Sequence, residues 1–391
     1  MITDRFNLLD VNVFAQSREF EIFKRLRDEA PVYFHPEVNG PGFYAVTRYD
    51  DVVSVLRNHT VFASGQGTQI ANRKAEGYGT ASVHNSDPPY HTHLRNVILP
   101  KLGPAAVKSI EPKVREIVNR LFDACPRGEP FDFVDSYAVK LPMMVIGHVL
   151  GVPEADQPQM VNWANTISDV RASDAEQEEA RTELFRFFRG LVAQKRANPA
   201  DDVATELTQA KIEGRPLTDL EIDAYFAVLS AAGNETTRFL ISGGLAQLCQ
   251  RPDDIAMLRR SPELIPAAIE EMVRWVTPVM QMRRTATEDA EVAGTPIRKG
   301  DKVVVYFASA NRDERKFDDP ESFIPTRKKN PHLGFGHGAH FCIGAHLARL
   351  ESRIFFETLF ERVSDIRLAG KPERLPSYIF HGYVRLPVVW N

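Results

Sequence analysis

The 391-residue sequence is poor in cysteine, in net charge and in long apolar runs. Its three cysteines, Cys125, Cys249 and Cys342, are too few and too scattered for a disulfide framework, which suits a reducing cytosol. The 48 Lys and Arg nearly balance the 52 Asp and Glu, leaving a net charge of -4 and no argument for nucleic acid or an anionic membrane. No apolar run reaches the roughly 18 residues of a membrane span. The polar start, Met1-Ile2-Thr3-Asp4-Arg5-Phe6-Asn7, reads as neither leader nor anchor. Also lacking are internal repeats, Gly/Ser or Pro-rich linkers and blocks of charge. Length alone favours two or three domains; without a linker, one domain over 1–391 is expected, with an extended N-terminal segment over about 1–20. The 43% hydrophobic and 26% charged composition is that of an ordinary globular protein.

One stretch stands out, Phe335-Gly336-His337-Gly338-Ala339-His340-Phe341-Cys342-Ile343-Gly344, followed by the helical period of Ala345 to Phe356. A lone cysteine before a helix is ordinarily a small buried hydrophobe. The same position can instead support a thiolate, through unpaired N–H groups and the helix dipole. Gly336, Gly338 and Gly344 allow positive φ or close backbone approach.

Earlier in the chain, 20–60 read as helix, hairpin and helix: Phe20 to Ala30, strands Pro31–Phe34 and Phe43–Val46 around Asn39-Gly40-Pro41-Gly42, then Asp51–Asn58 capped by Asp50. Residues 62–86 have no period, as a functional loop would. Pro88 and Pro89 suit a helix start, and His91 and Arg95 share one face at i, i+4, either a solvated face or a clamp for an anion. Residues 104–124, 136–150 and 157–197 are largely helical by period, and the acidic patch Asp174 to Glu179 reads as a solvated face or turn. Thr218 and Glu221 form a capping box for a long helix that Arg251-Pro252 ends, roughly 48 Å in length. Its middle, Ala232-Gly233-Asn234-Glu235-Thr236-Thr237, puts a carboxylate and hydroxyls where burial demands partners. Thr there can bond back one turn and bend the helix. Glu271 and Arg274 are spaced for an ordinary helix bridge. Strand pieces follow at Ala290–Ala293, Thr295–Ile297 and Lys302–Tyr306, and a hairpin over Tyr378 to Leu386 closes the chain.

Phe335, Gly338, Cys342 and Gly344 together make Phe-x-x-Gly-x-x-x-Cys-x-Gly, which resembles the cysteine-ligand loop of the cytochrome P450 family. Further motifs resemble that family in matching order: Asp87-Pro88-Pro89-x-His91-x-x-x-Arg95, Ala232-Gly233-x-Glu235-Thr236-Thr237, Glu271-x-x-Arg274, Arg284-x-Ala286-Thr287-x-Asp289 and Phe323-x-Pro325-x-Arg327. The resemblance implies a mainly α fold with a small β region (α+β), haem b as cofactor with O2 as co-substrate, and a haem-thiolate monooxygenase. It implies Cys342 as the metal ligand, and propionate contacts from His91, Arg95, Arg284 and His340 rather than from the neighbouring Arg283. Ala232, Gly233, Gly334, Phe335, Gly336, Gly344 and Ala348 would line the haem, and the acid–alcohol pair Glu235 and Thr236 would deliver protons. Many members carry Asp where this chain has Glu235. Glu271, Arg274 and Arg327 would form a buried structural triad. The substrate pocket is expected from Tyr225, Leu229, Ala232, Val279, Met280, Met282, Ile379 and Phe380, mostly apolar, suiting a terpenoid, steroid, fatty or aromatic compound. No flavin or nicotinamide fingerprint is present, so electrons are expected from a ferredoxin with its NAD(P)H-dependent reductase. A basic patch of Lys101, Arg327-Lys328-Lys329 and Arg349 could dock it, although solvated charge explains the same residues. Arg73 or Lys74 could anchor a substrate carboxylate, although an exposed loop charge is the reading favoured for both. A soluble cytoplasmic monomer is expected. A peroxide-using haem-thiolate enzyme and a non-catalytic haem sensor remain as alternatives, both disfavoured by the intact Glu235–Thr236 pair.

Overall fold

Thr218 Oγ1 accepts from the Glu221 N–H while the Glu221 carboxylate accepts from the Thr218 N–H, and this box starts the longest helix, Asp219–Leu248. The computed structural model describes residues 7–38, 40–71, 77–168 and 172–391. Helices Lys140–Leu150, Ile265–Val276 and Ala345–Arg362 pack along the long helix, and their apolar faces build the main core around Leu240, Leu245, Phe355 and Phe356. A five-stranded sheet stands beside it, in the order Val32–His35, Phe43–Val46, Lys302–Tyr306, Gln281–Ala286, Phe62–Ala63. Its centre pairs Val303 in parallel with Tyr44 and antiparallel with Arg284. The mainly α architecture with small sheets is the one expected.

Local expectations fare unevenly. The first twenty residues are not all extended: Asp10 caps a turn of helix, Val11–Ala15, and the next helix, Glu19–Glu29, has begun by residue 19. Asp50 is no cap. The helix is Tyr49–Arg57, and its first N–H donates to Asp313 Oδ2 at 2.8 Å, a partner 264 residues away that no local pattern shows. The stretch 104–124 divides at Ile110 into Pro104–Ser109 and Glu111–Ala124, each with proline in its first turn. The acidic patch is the first turn of the helix Asp174–Ala197, where Ser173 and Glu176 form a second capping box and negative charge suits the dipole. The closing hairpin pairs Glu373–Arg374 with Tyr383–Arg385, so Tyr378, Ile379 and Phe380 lie in its loop. That loop docks on the segment after Val276: Met280 N–H donates to Ile379 O at 2.8 Å and His381 N–H to Pro278 O at 2.9 Å.

The triad expected from Glu271, Arg274 and Arg327 is formed in the core. The Glu271 carboxylate accepts from Arg274 at 2.8 and 2.8 Å, Arg327 at 3.0 Å, the Ile324 N–H at 2.8 Å and Asn330 at 3.2 Å. Arg274 spends its remaining donors on the carbonyls of Asn311, Pro320 and Ser322. One buried carboxylate thus ties the 311–330 segment, which leads directly into the cysteine loop, to the helix that packs along the long one.

Candidate active site

Between the long helix and the cysteine loop lies a mainly apolar cavity with about 1570 Å³ of space between atoms, part of it open to solvent. Leu229, Ala232, Gly233 and Thr236 line it from the helix, and Gly334, Phe335, Gly336, Cys342, Gly344 and Ala348 from the loop side. Gly336 and Gly338 have φ of +72° and +71°, and a Cβ on Gly338 would stand 2.7 Å from the Leu56 carbonyl. Cys342 N–H donates to Phe335 O at 2.9 Å, which curls the loop so that the side chain opens onto the cavity. The next helix starts only at Ala345, with Gly344 as its N-cap. Helix polarity therefore does less for the sulfur than the sequence suggests. Burial pushes the thiol up, while the Gly344 N–H and the charges of Arg95 and Arg349 pull it partly back. Against that rise, a bound metal ion would favour the thiolate.

The other end of the cavity is cationic. Asp87 accepts from the Ser64 and Gly65 N–H groups at 2.7 and 2.8 Å, fixing the start of the helix Tyr90–Leu102. From that helix His91 and Arg95 reach the cavity, where Arg284 and His340 join them. The rings of His91 and His340 lie 4.1 Å apart, and His340 Nε2 is 3.2 Å from Ser64 Oγ. Arg283 turns to the far face of the strand, bonding Thr285 Oγ1 at 3.0 Å. Among the described residues no carboxylate forms an ion pair with Arg95 or Arg284, and buried His91 Nδ1 has no partner. Burial brings Arg284 down to about 10 and, with the Arg284 charge next, His340 to about 2. Such a set, short of negative charge and flanked by apolar walls, fits the carboxylates of a flat apolar cofactor such as haem.

Thr236 Oγ1 donates to Ala232 O at 2.7 Å, the back-bond expected of it, and stays on the cavity wall. Glu235 does not line the cavity; it turns toward Arg238, 3.7 Å away, and keeps 20% exposure. The nearest atoms to a Cβ on Gly233 would be those of Ile146, from 3.5 Å, an ordinary contact that does not itself require glycine.

Of the pocket residues expected, Leu229, Ala232, Val279 and Met282 line the cavity. Tyr225 does not: its hydroxyl donates to Leu94 O at 2.5 Å inside the core. Met280 packs with Phe23 and Tyr306 against the N-terminal helices, just before the strand Gln281–Ala286 that carries Met282. Ile379 and Phe380 sit behind the wall, Phe380 paired to Val279 through the backbone. Val83, His84, Ile98 and Val228 line the cavity and were missed. The first two lie in the aperiodic loop, where no pattern says which side chains face inward. Arg73 and Lys74 lie outside the described residues. The basic patch is mostly spoken for: Lys101 pairs with Asp201 and Glu206, Arg327 joins the triad, and Arg349 forks onto Glu270 at 2.6 and 2.7 Å.

Glu351 also went unmarked, although it stands in the apolar stripe of its helix between Leu347, Leu350, Ile354 and Phe355. Burial raises its pKa well above the ordinary value of 4.5, and among the described residues Oε2 has no hydrogen-bond partner. The fold thus favours the protonated form. As pH rises above about 4.5 the unfolded chain releases this proton and the fold retains it, so stability falls by about 1.4 kcal/mol per pH unit until the folded group titrates. Glu351→Gln removes that slope. Urea unfolding at pH 5 and pH 8 should show the variant gaining on the parent at the higher pH; parallel losses in both would contradict it.

Against known proteins, the family model described as Cytochrome P450 matches residues 261–365. A linalool 8-monooxygenase of Pseudomonas putida is 38% identical over 99% of both chains. A methyl-branched lipid omega-hydroxylase of Mycobacterium tuberculosis is 37% identical, over 94% of this chain and 90% of that one. A Mycobacterium marinum cytochrome P450 solved with pseudoionone superposes with a TM-score of 0.91, at 37% identity and over 99% and 98% of the two chains.

Proposed function

Since the chain belongs to the cytochrome P450 family, we propose a specific division of labour among its residues. The enzyme is a haem monooxygenase for hydrophobic substrates. When bound, the haem supplies oxygen activation, so that one atom of O2 enters the substrate and the other leaves as water. In our reading Cys342 is its thiolate ligand, and His91, Arg95, Arg284 and His340 hold its propionates. The observation that carries this is a cysteine opening onto an apolar cavity whose far end gathers buried Arg284 and half-buried Arg95, neither in an ion pair among the described residues, beside His91 and His340.

Thr236 keeps its own proton on the Ala232 carbonyl and turns lone pairs to the cavity, so it can orient a water there. Glu235, nearer solvent, collects protons for it and is held by Arg238. The Glu271 triad is structural. The substrate is an acyclic terpenoid or branched aliphatic compound, a reading supported by the printed substrates of the relatives and by the apolar wall of Leu229, Val279 and Met282. Electrons come from a ferredoxin and its NAD(P)H-dependent reductase. With Lys101 and Arg349 already paired, Lys328 and Lys329 are the charges left for docking in the basic patch. The protein works as a cytoplasmic monomer of one domain; among the described residues no helix is long and apolar enough to cross a membrane.

The test is turnover of an acyclic terpenoid with reduced ferredoxin, comparing the parent with Thr236→Ala. The variant is expected to keep consuming electrons while product per electron falls by roughly an order of magnitude or more. An unchanged ratio removes Thr236 from proton delivery. Parent turnover that needs peroxide and ignores ferredoxin would instead assign the peroxide-using class.

A further inference from the structure

The roles above leave several polar side chains of the cavity wall unused, Thr68, Thr237, His337, Glu351 and His84 among them, and His84 is held by a hydrogen bond at one ring nitrogen with the other nitrogen unbonded among the described residues. His84 is the middle residue of a single 3₁₀ turn, Val83–Asn85, and lines the cavity with Val83, Ile98, Val228 and Leu229. Its Nδ1 is 2.6 Å from Ser82 Oγ. Among the described residues, Nε2 has no hydrogen bond. The turn is held from several sides: Thr68 Oγ1 donates to Asn85 Oδ1 at 3.0 Å, Asn85 Nδ2 to Gly79 O at 3.2 Å, and Ser86 Oγ to Ser82 O at 2.8 Å. Asp87, one residue on, is fastened to Ser64 and Gly65. The imidazole is therefore preorganised, with one nitrogen committed to the loop and the other without a hydrogen bond among the described residues, on a side chain that lines the cavity.

Burial first, and the Arg284 charge second, hold His84 down to about 4, so the ring is neutral at ordinary pH. A neutral ring adds no charge for a propionate, and two arginines and two histidines already gather there. It does offer hydrogen bonding. The Ser82 hydroxyl can donate to Nδ1, leaving Nε2–H as a donor, or accept from it, leaving Nε2 as an acceptor. Either tautomer matches an alcohol, and the first matches a ketone. A hydrocarbon in the same place would leave the ring nitrogen desolvated and unpaired.

We propose that His84 Nε2, tuned by Ser82, is a specificity anchor for the lone oxygen of an otherwise apolar substrate, an alcohol or ketone. This selects oxygenated aliphatic compounds over their hydrocarbon counterparts. The inference rests on the monooxygenase reading above and adds the substrate feature that reading lacks.

The haem-loaded enzyme is titrated with linalool and pseudoionone, and with the same two skeletons lacking oxygen, following the Soret shift. Haem per chain is measured alongside, and all is repeated with His84→Leu. The parent should bind the oxygenated probes about tenfold or more tightly than the hydrocarbons. His84→Leu should bring that ratio close to one, chiefly by weakening the oxygenated probes, with haem content unchanged. A haem-loaded parent that treats both kinds of probe alike, by binding both or neither, overturns the inference alone. So does a His84→Leu variant that keeps the ratio or instead loses haem, which would make His84 a cofactor contact. A parent chain that takes up no haem overturns the reading beneath it as well.

Discussion

Cys342→Ala is expected to leave the fold intact and remove the chemistry. The side chain opens onto the cavity and not into the core, and the loop is shaped by backbone bonds that alanine keeps, the Cys342 N–H to Phe335 O among them. Gly338 retains its close approach to Leu56. Truncating the sulfur therefore should move the urea midpoint little, within about 1 kcal/mol. The donor atom is lost altogether. After haem reconstitution, the carbonmonoxy form should lack the thiolate-type Soret band, and oxygenated product should fall below detection. His91, Arg95, Arg284 and His340 stay in place, so some haem should still bind in the variant. A variant that keeps the thiolate spectrum would hand the ligand role to Cys125 or Cys249. Both are poor candidates, since burial pushes their thiols up to about 11 and about 12 and neither lines the cavity.

Glu271→Ala is expected to do the opposite, sparing every cavity atom and undoing the fold around it. Glu271 and Arg274 are both fully buried, and the carboxylate takes five hydrogen bonds. Its removal leaves the Arg274 charge without its counterion and strips the Ile324 N–H and Arg327 of an acceptor. Breaking a buried pair from one side costs about 3–5 kcal/mol, a large part of the 5–15 kcal/mol that holds a typical domain together. The 311–330 segment should loosen first, and with it the cysteine loop. Chemical denaturation should show a loss of this size, or the chain should be recovered insoluble and without haem. A variant within 1 kcal/mol of the parent that holds haem normally would reduce the triad to a surface-type bridge.

The two substitutions also mark what a linear reading can reach. The cysteine loop, the capping box at Thr218 and the back-bonding Thr236 are local patterns, written in residues a few positions apart, and each stands in the structure as its spacing implies. The partner of Tyr49 and the burial of Tyr225 depend on what packs across from them, and period alone cannot supply that. Met280 and Met282 show the limit at its finest. Both are apolar and two places apart on an extended stretch, yet the first faces the N-terminal helices and the second the cavity: the strand starts only at Gln281, so Met280 lies outside its alternation. His84 was illegible for another reason: a 3₁₀ turn has too few residues to impose a period. Glu351 was legible, as a carboxylate inside an apolar helical stripe, and was passed over.

The central sheet joins Tyr44 to Val303, and its neighbour strand carries Arg284. These positions are separated by some 260 residues of sequence. On a ribosome adding about 5–20 residues per second, the first hairpin waits roughly 13–50 s for the strand that covers its edge. Cys342 emerges later still. The nascent chain thus carries an unsealed strand edge until residues 302–306 are made. The part of the cavity wall that residues 334–348 supply is thus made after the parts contributed by the long helix and by His91 and Arg95.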